Sequence, residues 1–142
     1  MSQSDAITAD IEALKRLRGH RADRVTRQLH TAQTAQRALT VRIEQACQDV
    51  EQARVDEARQ RKALLNRYQG QVLSPRTLAG WSEEERAVSA ATARQEGTLQ
   101  ALFEQRQRKE QELQQIRQNA SQCLRQVEKL RELAVLLAGE TL

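Results

Sequence analysis

From Val88 to Leu137 the chain repeats one seam in strict steps of three and four. It runs Val88, Thr92, Gln95, Leu99, Leu102, Arg106, Lys109, Leu113, Ile116, Ala120, Cys123, Val127, Leu130, Ala134 and Leu137. Apolar or small residues hold most of these positions, and Arg, Gln and Glu fill the spaces between. A helix with so narrow a stripe cannot bury it in a globular core, but it can against one other helix. The first half carries the same pattern at Val25, Leu29, Ala32, Gln36, Leu39, Ile43, Ala46, Val50 and Ala53. The chain supplies its own partner. The pattern predicts an all-α fold, a long antiparallel two-helix coiled-coil hairpin.

Composition narrows the function classes. Aromatic residues are 2% of the chain, namely Tyr68, Trp81 and Phe103. Rings supply much of the buried area of a thick core or a ligand pocket, so neither is expected. Charged residues reach 30% beside a single Pro, a balance typical of long helices. So polar a chain would be disordered without sustained heptads, and the heptads are sustained.

Helical periodicity starts near Asp5 with Ile7, Ile11 and Leu14, and Gly19 is a local weakness within it. Arm one is placed at about 5–70, a turn segment at about 71–82 and arm two at about 83–138. Within GQVLSPRTLAGW, Ser74-Pro75 starts a short helical turn that Gly80 ends. Ser82 then opens a capping box with Glu85, and Gly139 stands as the stop signal. The arms fold back because each stripe then meets a partner at high effective concentration. At ~1.5 Å per residue each arm would be about 85–100 Å long. With the turn centred near residue 77, facing numbers sum to roughly 154. Cys47 would face the region of Lys109 and Cys123 that of Thr31, about 25 Å apart along the axis and too far for a disulfide. Both are read as small seam fillers without metal-ligand spacing, consistent with a reducing, cytoplasmic setting.

The seam is not uniformly apolar. Arg106 and Lys109 hold core-type positions opposite a stretch with Glu44, Gln45, Gln48, Asp49 and Glu51, while Glu57 and Gln60 interrupt arm one. Polar seam residues set register at a cost in stability. Long Arg and Lys side chains also reach past an apolar seam to solvent, and a soft middle is the functional alternative.

Net charge is +4, and it is unevenly placed. From Lys15 to Arg42 the chain carries Lys15, Arg16, Arg18, Arg21, Arg24, Arg27, Arg37 and Arg42 against Asp23 alone. Such a stretch is either a solvated face or a surface for nucleic acid, acidic lipid or an acidic protein. No aromatic residue interleaves it, which counts against single-stranded nucleic acid. No run approaches the ~20 apolar residues of a membrane span, and the N-terminus has no apolar signal core.

No catalytic signature emerges. His20 and His30 point in different directions, and no phosphate loop, dinucleotide fingerprint, HExxH or CxxC is present. A two-helix seam offers no closed cleft to shift carboxylate pKa values, so no enzyme activity, cofactor or metal is expected. The densest exposed apolar cluster is Tyr68, Val72, Leu73, Leu78 and Trp81. It either closes the hairpin end on itself or forms a docking tip anchored by Trp81.

A basic, Arg- and Gln-rich chain with two heptad arms and one short break resembles the central stalk of type III secretion systems, the FliJ/YscO family. The stretch IEALKRLRGHRADRVTRQL, Ile11 to Leu29, is similar to the family's N-terminal leucines stepping into R-x-x-R-A, here Arg18, Arg21 and Ala22. The resemblance covers most of the chain in layout, and Ser-Pro and Trp in the break place it nearer the injectisome branch, linked to virulence, than the flagellar one. It implies a hairpin whose terminal end enters the pore of a hexameric secretion ATPase. Such a stalk promotes ring assembly and ATP turnover, links the ring to the export-gate membrane protein, and binds export chaperones. It would lie at the cytoplasmic face of a membrane complex without inserting in the bilayer. On this chain the pore end would pair Ile11, Leu14 and Leu17 with Val127, Leu130, Leu133 and Leu137. Arg16, Arg18, Arg21 and Arg24, with Glu128, Lys129, Arg131 and Glu132, would face the ATPase loops. Two readings of other classes remain: a self-associating coiled-coil scaffold or adaptor, and a nucleic-acid binder using the basic stretch, which is not expected.

Overall fold

The computed structural model describes residues 3–140. They form two helices, α1 (Gln3–Tyr68) and α2 (Pro75–Glu140), with no strand among the described residues. Each helix is 66 residues long. The helices are built from good helix formers, with no Pro after the first residue of α2. Local pairs one turn apart add support: Gln45 donates to Asp49, Gln52 to Asp56 and Gln115 to Asn119. The helices pack against each other as an all-α helical hairpin.

The chain divides into two compact units: a terminal unit of 3–36 with 108–140, and a turn unit, Arg37–Gln107. In the terminal unit the two segments bury Ile11 and Ala22 from α1, with Leu113, Ala120 and Cys123 from α2. In the turn unit Leu39, Ile43, Ala46 and Leu102 form one buried cluster, with Leu99 and Phe103 against it. Val50, Leu64 and Thr92 are buried as well.

Every seam position read from Val88 to Leu137, and from Val25 to Ala53, is buried or half-buried. The same step carried toward the N-terminus passes through Lys15, Arg18 and Ala22, not through the leucines. Leu14 and Leu17 are exposed, as is Leu133 on α2, so the pairing of these three residues across the terminal end is corrected. Cys47 is exposed too, and only Cys123 fills the seam; both are free thiols.

The turn is shorter than expected. Among the described residues the chain leaves helix only between Tyr68 and Pro75, and α2 continues through Gly80, Trp81 and Ser82. Gly70 at φ 84° makes the reversal, a conformation that L side chains rarely adopt. Ser74 then caps α2: its Oγ accepts from the Thr77 amide at 3.1 Å, while its carbonyl accepts from Leu78 N–H at 3.0 Å. The expected stop at Gly80 and restart at Ser82 do not occur. Tyr68 Oη lies 3.5 Å from where a Gly80 Cβ would stand, and Arg67 pairs with Glu84, so packing carries the helix across the weak residue. Gly139 likewise lies inside α2 rather than past its end.

Register shifts with the turn. Within the turn unit the Thr92 hydroxyl donates to the Ala53 carbonyl and Leu102 packs around Ile43, so facing numbers sum to about 145 rather than 154. The longer Arg54–Glu96 and Arg61–Ser89 contacts reach along the axis to 150. In the terminal unit Arg18 donates to Gln126, a sum of 144.

Candidate functional site

The buried polar position of the seam lies in the turn unit. Thr92 is buried, and its hydroxyl lies 3.3 Å from the Ala53 carbonyl. Glu57 sits half-buried beside it, with Arg61 at 3.0 Å, whereas Gln60 is exposed. The Glu57 carboxyl is held below the usual carboxylate range chiefly by the Thr92 hydroxyl beside it. Burial opposes that shift, while Arg61, Ser89 and Arg54 add to it. Arg106 and Lys109 are half-buried, and each is satisfied along its own helix. Arg106 stacks 5.0 Å from the Phe103 ring centroid, and Lys109 lies 3.3 Å from Glu112. No metal-holding group of His, Cys, Asp or Glu occurs among the described residues. Nor is any described helix long and apolar enough to cross a membrane.

Surface chemistry concentrates in two places. In the turn unit Tyr68 and Trp81 are half-buried, and Gln69, Leu73, Thr77, Leu78 and Leu65 join them around a groove of about 450 Å³. Leu65, Leu73 and Leu78 are exposed, and Val72 is 87% exposed. The two aromatic residues are therefore partly covered while the aliphatic residues face outward. Arg67 lies 5.6 Å above the Tyr68 ring and also holds Glu84, fixing α1 to α2 here.

In the terminal unit Arg16, Arg21 and Arg24 are exposed and have no ion-pair partner among the described residues. Arg18 is half-buried and spent on Gln126. Glu128 and Arg131 are exposed and lie 3.9 Å apart, one turn along α2. Beside these charges stand exposed large apolar residues: Ile7, Leu14 and Leu17 on α1, with Leu124, Leu133, Val135 and Leu136 on α2. Within the Arg18–Gln126 register, Leu14 stands level with Leu130, and Leu133 with Ile11. Sequence reasoning missed Leu65, Leu124, Val135 and Leu136 as surface groups. Each is a large aliphatic residue standing off the three-four step, which is the signal that exposes them.

Comparison of the chain with family models, with curated proteins and with solved structures finds no match.

Proposed function

We propose that this chain is the central stalk of a type III secretion apparatus, a connector that performs no chemistry of its own. The observation that carries the reading is where apolar surface is left open. Of the exposed large hydrophobic residues, Ile7, Leu14, Leu17, Leu124, Leu133, Val135 and Leu136 lie near the termini, and Leu65, Val72, Leu73 and Leu78 lie at the turn. Among the described residues only Val41 and Val55 fall elsewhere. A helix pair that closes its seam yet leaves large apolar residues exposed near the termini and at the turn fits a protein that joins two partners. The terminal surface would enter the hexameric ATPase, and the turn would meet the export gate or an export chaperone.

Arg21 and Arg24, unpaired, suit a sixfold ring around an asymmetric helix pair. Charge contacts tolerate changing distances that interlocking packing does not. Leu14, Leu17 and Leu133 add an apolar contribution at the same surface.

The test is ATP hydrolysis by the cognate secretion ATPase with and without this protein, with ring formation followed in parallel. Stimulation that falls when Arg18, Arg21 and Arg24 are all reversed to Glu, in a hairpin that keeps its helicity, supports the reading. Stimulation unchanged by those reversals removes the residue assignment, and no stimulation by the unaltered chain removes the stalk reading. The exposed apolar surfaces also fit a self-associating scaffold. That reading predicts a mass that rises with concentration in sedimentation equilibrium.

A further inference from the structure

Within the terminal unit α1 and α2 border a second groove, of about 630 Å³, of which the stalk reading uses Arg24 alone. Its floor is small and apolar, with Ala32 and Ala35 from α1 and Ile116 from α2. Its rim is cationic, formed by Arg24, Arg27 and Lys109. Glu112 sits 3.3 Å from Lys109 and offsets one charge, so the groove carries a net positive charge. Arg24 and Arg27 are exposed and have no ion-pair partner among the described residues. The surrounding stretch of α1 gives them no internal acid except Asp23.

Two features select the occupant. Small floor residues let another backbone approach closely, and the floor is apolar enough to receive Leu- or Ala-sized side chains. Arg24 and Arg27 are three residues apart on one helix, so their stems are about 5–6 Å apart, the same repeat as carboxylates one turn apart on a docked helix. A nucleic-acid strand would gain from stacking rings, and no aromatic residue lines this groove. We infer that the groove docks an acidic amphipathic helix of a partner protein, laid along α1 as a third helix with its apolar stripe on Ala32, Ala35 and Ile116. The inference does not depend on the stalk reading; Arg24 is the residue the two share.

The test uses the full chain and a fluorescent peptide of about three heptads, with Leu and Ala on one face and Glu on both flanks. Binding is read by anisotropy near physiological salt, beside the same peptide with Lys for Glu and a single-stranded DNA of similar length. The acidic peptide should bind, and the Lys peptide should not. Arg24→Glu with Arg27→Glu should weaken binding about tenfold, whereas Arg37→Glu with Arg125→Glu, an equal change of net charge, should change it less than about threefold. Ala35→Trp blocks the floor and should also cost about tenfold; Thr31→Trp is the second blocker if the first disturbs helicity. Absence of binding, equal loss in the two charge pairs, or binding indifferent to both Trp variants overturns the inference. DNA binding with the same groove dependence also overturns it and makes the surface a nucleic-acid site.

Discussion

Truncating Leu102 to Ala tests whether the seam holds the molecule together. Leu102 is 6% exposed and lies among Leu39, Ile43 and Ala46. The change removes three carbons from water-excluded contact, and at about 0.8 kcal/mol each that is roughly 2.4 kcal/mol. In a deep core a cavity term would be added, but this seam is one layer thick and the two helices can close on the smaller side chain. Alanine's better helix propensity returns about 0.2 kcal/mol. The net loss is about 2–2.5 kcal/mol, at the low end for a buried Leu→Ala. For a chain of this size that lowers Tm by about 5–9 °C, followed by circular dichroism at the helix minimum. Leu65→Ala is the matched control, because Leu65 is 62% exposed, and it should cost no more than about 0.5 kcal/mol. Equal shifts in the two variants would refute the claim that stability resides in the three-four seam.

Four further outcomes follow from the turn and the polar layer. Gly80→Ala should stabilise by about 0.5–1 kcal/mol, since the new methyl meets only Tyr68 Oη at an ordinary 3.5 Å. Gly70→Ala should destabilise by about 1–2 kcal/mol, because its φ of 84° is left-handed; opposite signs in urea melts check the pair. Ser74→Ala should cost about 1 kcal/mol through loss of the hydroxyl that caps α2 at the Thr77 amide. With Glu57 depressed in the folded state, its contribution is present above the ordinary carboxylate range and is lost as pH falls through and below that range. Thr92→Val should flatten that acid limb in a Tm-against-pH series; an unchanged slope would remove Thr92 as its main cause.

The seam was legible because a period of seven over two helices leaves little choice of inward face. Val88 to Leu137 needed no correction at any position. Errors arose where residue type was followed instead of spacing. Leu14 and Leu17 look like core residues, yet the step from Ile11 to Ala22 passes through Lys15 and Arg18, which are half-buried on the seam while their charged ends pair with Glu12 and Gln126. The turn was read too wide for a different reason. Gly80 and the Ser82 box are local helix signals, but Tyr68 packed at Gly80 and the Arg67–Glu84 pair outweigh a propensity cost of about 1 kcal/mol. The groove of Arg24, Arg27 and Lys109 lay beyond linear reading, since it depends on which residues of α2 come level with α1 and the turn length sets that.

The two thiols differ in a way that affects how assembly is measured. Cys123 is enclosed by the seam, while Cys47 stands on the open side of α1. An alkylating dye should modify Cys47 at once and Cys123 only when the hairpin opens, giving a single-site handle without mutagenesis. By the same logic, air oxidation will link two chains through Cys47 and yield a covalent dimer that reflects storage rather than biology. Mass measurements made under reducing conditions, or on Cys47→Ser, separate that adduct from genuine self-association.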